Sequence, residues 1–335
     1  CVWDMFAADG RVFEHQNADT SCDHMHHYKE DIALMRHLGI RAYRFSLNWA
    51  RILPEGTGRV NEKAIAMYRD MILTMKENGI TPYLTLFHWE FPQALYERGG
   101  WQNPDVVQWF GEYAKVVAEN FSDICEYFIT INEPQCVVGL GHLSGVHAPG
   151  VKLPVAQTFL VAHHLLMAHG QAVINLRRYA VRPVKIGFAP TGGVAYPYTD
   201  RPEDIEAAKK VYFGFYNPID NWTWNVSWFS DPVFLGHYPE EGLKKFAPYL
   251  PKITQEDMEL IYQPLDFMGQ NIYNGYYVRA GADGEPEFVD RAPGFPKTGS
   301  DWPVTSEAFY YGIKFLTERY PLPLYITENG MSCHD

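Results

Sequence analysis

The sequence predicts an α/β fold of the (β/α)8, or TIM, barrel type. Three observations predict it. Short apolar runs alternate with helical patterns along the chain, as parallel βαβ units require. The residues able to do chemistry stand just past the C-terminal ends of several different runs, the end where such barrels carry their sites. No GxGxxG or GxxxxGK[ST] turn occurs, although a doubly wound sheet usually uses a glycine-rich turn at its single crevice.

The elements follow in order. A helical pattern at Asp23–Leu38 leads to the strand Arg41–Leu47 (RAYRFSL). The next helix covers Glu62–Asn78, with Gly79 as its stop. The β-rich run Pro82–Phe87 comes next, then a helix over Pro104–Asn120, with Asn103 as cap and Pro104 at its first position. The strand Tyr127–Ile131, a long helix Val155–Tyr179 and the strand Lys185–Ala189 continue the alternation. A helix at Pro202–Asn217, the strand Phe267–Asn271, a helix at Ser306–Tyr320 and the strand Leu324–Thr327 complete it. The runs are apolar throughout because parallel strands are buried on both faces. There are six of them, so the reading places this chain in one catalytic domain, residues 1–335, with the first and last strands of an eight-stranded barrel outside it.

Bulk properties narrow the function. The 335 residues are 47% hydrophobic and 20% charged, a globular balance. A net charge of −12 repels a phosphate backbone, which sets nucleic acid aside as a partner. No run of about 18 apolar residues suggests a membrane span, and no leader is read at Cys1-Val2-Trp3-Asp4. Five scattered cysteines without CxxC spacing argue against a disulfide framework, so a reducing, cytoplasmic location is expected. Aromatic residues reach 15%, with nine Trp. Flat rings of this kind can stack on the apolar C–H face of a sugar, although most must be ordinary core.

Two strand ends carry the chemistry. Thr130-Ile131-Asn132-Glu133-Pro134 runs a strand into a carboxylate, and proline then fixes the exit of the chain. Ile326-Thr327-Glu328-Asn329-Gly330 does the same, 195 residues later (328 − 133). Either alone reads as a strand-ending turn. Two strand-end glutamates so far apart meet only across a barrel mouth, and paired carboxylates are the machinery of glycoside cleavage.

At this point the chain resembles glycoside hydrolase family 1, the family of β-glucosidases. The resemblance is carried in order by CDHMHHYKEDIALM (Cys22–Met35), YRFSLNWARILP (Tyr43–Pro54), GITPYLTLFHWEFPQAL (Gly79–Leu95), ITINEP (Ile129–Pro134), HAPG (His147–Gly150), DPVFLGHYP (Asp231–Pro239), DFMGQNIY (Asp266–Tyr273) and ITENG (Ile326–Gly330). It implies hydrolysis of β-glucosides with retention, with Glu133 as acid/base and Glu328 as nucleophile. It further implies His88, Trp89 and Asn132 as contacts to the sugar hydroxyls, Asn271 as a site residue near the acid/base, and Arg44 and Tyr273 as supports of the nucleophile. Tyr273 counts also among the substrate contacts. The expected partner is a small β-glucoside or oligosaccharide; no cofactor and no metal enter this reading. The alternatives are a 6-phospho-β-glucosidase, whose relatives more often carry a different aromatic at the Trp89 position, and a catalytically silent sugar-binding barrel.

Other signals weigh less. Cys22, His24, His26 and His27 have ligand-like spacing, but on a helix positions 24, 26 and 27 do not share one face. Asn221-Trp222-Thr223 and Asn225-Val226-Ser227 match the glycosylation pattern, which is common by chance. Trp222, Trp224 and Trp228 are expected to be core, with the wall of a leaving-group site as the alternative.

Overall fold

A computed structural model describes residues 1–333 of the chain. Nine strands form among the described residues: β1 (Ala42–Ser46), β2 (Thr81–Phe87), β3 (Tyr127–Asn132), β4 (Lys185–Ala189), β5 (Val194–Pro197), β6 (Phe267–Asn271), β7 (Gly275–Ala280), β8 (Pro286–Val289) and β9 (Leu324–Glu328). Six make one sheet in the order β1-β2-β3-β4-β6-β9, and every neighbouring pair in it is parallel. These are the six strands expected from the sequence, six of the eight that a closed (β/α)8 barrel has. The sheet is curled: Arg44 from β1 and Glu328 from β9, at opposite ends of that order, form an ion pair at 2.7 Å.

Alternation along each strand divides the side chains between two layers. On β3, Phe128 joins the main core and the Thr130 hydroxyl meets His169 Nδ1 of the helix Val155–Tyr179 at 2.6 Å, so these two face the helices. Tyr127 and Ile129 face the other way and pack with Phe267 and Ala189. Tyr83 stacks on Tyr127 at 4.3 Å, and Phe267 lies 4.9 Å from Tyr325, which fills the lower part of the curled sheet with aromatic rings.

Two irregularities at the upper strand ends aim the site. Thr130 faces the helices, so strict alternation would send Asn132 there too. The register between β3 and β4 shifts between Ile129 and Asn132, and Asn132 turns into the mouth instead. On β9 the register shifts so that Gln270 pairs with Ile326 but Asn271 with Glu328. The extra residue, Thr327, and Glu328 then both reach the mouth. Bulges next to active sites commonly re-aim side chains in this way.

Three expectations need correction. The helix after Asn103 begins at Val106 with Asp105 as its cap; Asn103 Oδ1 instead accepts from the Asp105 amide at 2.9 Å, and Pro104 sits in that turn. The helix from Pro202 ends at Phe213, because Gly214 is extended. The sequence reading also missed a second sheet, β5-β7-β8, in which β7 pairs with β5 in parallel and with β8 in antiparallel. Of the tryptophan cluster, Trp222 and Trp228 belong to the core, while Trp224 is half-buried outside it. Trp222 stacks on Phe159 of the long helix at 3.8 Å and donates to Thr158 Oγ1, and Trp228 is likewise buried. His24, His26 and His27 each pair with a different carboxylate: Asp31, Asp23 and Glu30. No helix among the described residues is long and apolar enough to cross a membrane.

Candidate active site

The upper end of the sheet gathers the candidate catalytic and sugar-contacting residues read from the sequence. Glu328 is the last residue of β9. Its Oε1 accepts from Arg44 Nη1 at 2.7 Å, and its Oε2 accepts from the Tyr273 hydroxyl at 2.5 Å. Burial alone would resist ionisation of Glu328. The Tyr273 hydrogen bond and the Arg44 guanidinium outweigh it and hold the carboxyl below the usual range.

Glu133 follows β3 and caps the short helix Pro134–Val138 from the left-handed region, at φ 44°. A non-glycine residue there is strained, and such strain gathers at functional sites. Its amide donates to Ala189 O of β4 at 2.8 Å, which locks the turn. The side chain is buried, with Oε1 accepting from Asn271 Nδ2 at 2.7 Å. Burial and the charge of Glu328 push its carboxyl above the usual range, against the opposing pull of hydrogen bonds from Asn271, Cys136 and Thr191. Two carboxyl groups in one mouth are thus driven apart, one toward the anion and one toward the acid.

Polar side chains tie the two together. Asn132 Oδ1 accepts from Arg44 Nη2 at 2.6 Å and from Asn271 Nδ2 at 3.1 Å. Arg44 Nε donates to Thr85 Oγ1 at 2.9 Å, so all three guanidinium nitrogens are engaged. The Asn132 amide lies 3.1 Å from His88 Nε2. Burial, followed by the Arg44 charge, pulls His88 down to about 4, so the ring is neutral and its Nε2 accepts. Trp89 stands at φ 82°, with its indole N–H on Asn132 O at 3.2 Å. The arrangement presents one carboxyl pulled toward the anion, one pushed toward the acid and a rim of amide, imidazole and indole groups suited to hydroxyls.

The sequence matches the model of glycosyl hydrolase family 1 over residues 1–335. The chain belongs to glycosyl hydrolase family 1. As a member of glycosyl hydrolase family 1, it is 40% identical to a 1,4-beta-D-glucan glucohydrolase of Thermotoga neapolitana over all of this chain and 76% of that protein. It is 37% identical to a beta-glucosidase of an Agrobacterium species, over all of this chain and 71% of the relative. A beta-glucosidase of Thermotoga maritima, solved in complex with glucoimidazole, superposes with a TM-score of 0.87 at 40% identity, covering all of this chain and 73% of that one.

Four contacts in this glycosyl hydrolase family 1 site were not read from the sequence. Thr85 holds Arg44, and its position on β2, two residues past the inward Tyr83, is a period-two signal that could have found it. Thr327 donates to Asn271 Oδ1 at 2.5 Å through the β9 bulge, which leaves no mark in the sequence. Cys136 donates to Glu133 Oε2 at 3.1 Å. Trp302, 46% exposed, meets Tyr273 edge-on at 5.4 Å.

Proposed function

We propose that this glycosyl hydrolase family 1 chain is a retaining β-glucosidase, releasing terminal non-reducing β-D-glucosyl residues from β-glucosides or cello-oligosaccharides. One observation carries the reading: Glu328 is clamped between Arg44 and Tyr273 and driven toward the anion, while buried Glu133 is driven toward the acid. In this reading Glu328 attacks the anomeric carbon as Glu133 gives its proton to the glycosidic oxygen, and the aglycone leaves as the alcohol. The sugar is then held on Glu328 as an ester. The Glu133 carboxylate takes a proton from water, the water oxygen attacks the anomeric carbon, and β-glucose leaves with Glu328 restored. Asn132 Oδ1 is occupied by Arg44 and Asn271, so an Nδ2 hydrogen remains for the sugar 2-hydroxyl, where hydrogen bonds strengthen in the transition state. His88 and Trp89 serve the neighbouring hydroxyls, and Trp302 offers its face to the aglycone.

The test is hydrolysis of nitrophenyl β-glucoside followed by NMR. The first-formed sugar is expected to be the β anomer, and a crystal structure is expected to show the two carboxyl groups ~5–5.5 Å apart. An α first product, or a separation beyond ~7 Å, would point to inversion.

The reading favours unphosphorylated glucosides over their 6-phosphates. A phosphate needs fixed cations or amides. Arg44 is spent on Glu328, Asn132 and Thr85, and a net charge of −12 offers a dianion no long-range attraction. The kcat/KM for nitrophenyl β-glucoside is expected to exceed that for its 6-phosphate. A preference for the phosphate by more than about tenfold, ~1.4 kcal/mol in transition-state binding, would overturn this.

Residues 1–335 are read as one catalytic domain, supported by one large hydrophobic cluster with members from Val2 to Tyr320, beside two smaller ones. The five cysteines are unpaired, which supports a reducing, cytoplasmic location.

A further inference from the structure

We infer that Cys136 is a positioning residue for the acid/base: its thiol donates to Glu133 Oε2 and supports that group as a carboxylate in the second half of the reaction. The inference rests on the reading of Glu133 as acid/base, and its test separates the two.

The local fold makes the contact. Glu133 caps its helix through its backbone, with its carbonyl accepting from the Cys136 amide at 3.0 Å, and its side chain makes no capping bond. The carboxyl is therefore free to turn into the mouth, and Cys136, three residues on, lies one turn away on the same side. Asn271 takes Oε1 at 2.7 Å and Cys136 takes Oε2 at 3.1 Å. The thiol is 6% exposed, and burial and the neighbouring Glu133 push it far above its ordinary range. It thus stays protonated at any working pH: always a donor, never a competing anion, and a poor target for thiol reagents.

The groups facing Glu133 explain why this donor matters. Glu328 from β9 is an anion, Tyr273 after β6 is a phenol held neutral by burial and by Glu328, and Asn271 and Thr191 are neutral. None of these brings a positive charge. Once Glu133 has given up its proton, the new carboxylate depends on neutral hydrogen-bond donors. The same group must hold a proton before the first step, so a strong donor would spoil the acid. A thiol, a weak donor, gives modest help to the anion and leaves the acid competent.

The experiment compares wild type with Cys136→Val, which removes the donor at similar size, and Cys136→Ser, which strengthens it. The readout is kcat/KM for nitrophenyl β-glucoside against pH, with a thermal melt for each variant. Glu133 must be protonated for the first step, so activity falls as pH rises through its pKa; losing a bond to the anion raises that pKa. The basic limb of Cys136→Val is expected to move up by about 0.5 pH unit, with the acid limb set by Glu328 in place. Cys136→Ser, the stronger donor, is expected to bring the basic limb below the wild-type position. A basic limb unmoved in Cys136→Val, whatever happens to kcat, overturns the proposal. Should Cys136→Val fail to fold, Cys136→Ser decides: a downward shift supports the proposal, and no shift or an upward one overturns it. Glu90 is a second carboxyl near the mouth, half-buried and pushed up to about 7 by burial, but its polar contact is the His88 amide and not Cys136, so a limb set by Glu90 would ignore both Cys136 variants. Failure of the acid/base reading itself shows elsewhere, as a basic limb that survives in Glu133→Ala.

Discussion

Replacing Glu328 by Gly is expected to abolish hydrolysis of nitrophenyl β-glucoside, with a fall in kcat on the order of 10⁶-fold, the scale on which removal of a covalent nucleophile acts in other enzymes. The substitution leaves a small space with a defined electrostatic character. Arg44 Nη1 and the Tyr273 hydroxyl, which both now point at the carboxylate, are left facing it. Arg44 remains anchored by Thr85 and Asn132, so its positive charge stays aimed at the vacated position. A small anion should therefore enter. Azide placed there lies on the face of the sugar that Glu328 would attack, and displacement of an activated aglycone gives an α-glucosyl azide. Recovery of that product, identified by NMR, places the nucleophile at Glu328. A β-glucosyl azide from this variant would reverse the roles of Glu328 and Glu133. A thermal melt of the variant guards against loss of the fold, because Arg44 is only 14% exposed and loses its ion-pair partner.

Much of this site was legible because the strands that carry it are buried on both faces. In such a strand a polar residue stands out: Asn132 and Glu133 after YFITI, His88 after PYLTLF, Asn271 at the end of FMGQN. The runs themselves were readable for the same reason, and all six strands of the curled sheet were found within about a residue of their ends. The second sheet was missed for the opposite reason. β5 is four residues long, lies behind Gly192-Gly193 and ends in proline, so it lacks both length and alternation. The β7–β8 hairpin did carry a signal, Asp283-Gly284 between two β-rich segments, and Gly284 does take up the turn at φ 82°. The sequence reading, which looked for parallel units, passed over it. The bulges at Asn132 and Glu328 could not be read at all. Each is an offset between two strands more than 50 residues apart, set by their packing and not by either segment alone. Cys136 was silent because an isolated cysteine two places after a proline has many structural uses; only the left-handed turn at Glu133 brings its thiol to the carboxyl.

Glu133→Ala is expected to separate substrates by leaving group. An acid is needed only when the aglycone departs as a poor leaving group, so an alkyl glucoside or cellobiose should lose about 10²–10⁴-fold in kcat/KM, the range a positioned general acid contributes. A dinitrophenyl β-glucoside should keep a kcat/KM close to wild type, because its phenolate leaves without help. The second step must then suffer. With no base to take a proton from water, the glucosyl ester on Glu328 accumulates, giving a burst of phenolate followed by slow turnover. The geometry supports an intact first step: Glu328 keeps Arg44 and Tyr273, and neither contact passes through Glu133. The substitution removes only a lesser contribution to the raised Tyr273, which burial and Glu328 dominate, and frees Asn271 Nδ2, which still has Asn132 Oδ1 at 3.1 Å. Azide, needing no base, should enter from the Glu133 side, relieve the slow step and give a β-glucosyl azide. Equal losses for the alkyl and dinitrophenyl substrates would show that Glu133 does not act as the acid. An α azide from this variant would move the nucleophile to the opposite face of the sugar.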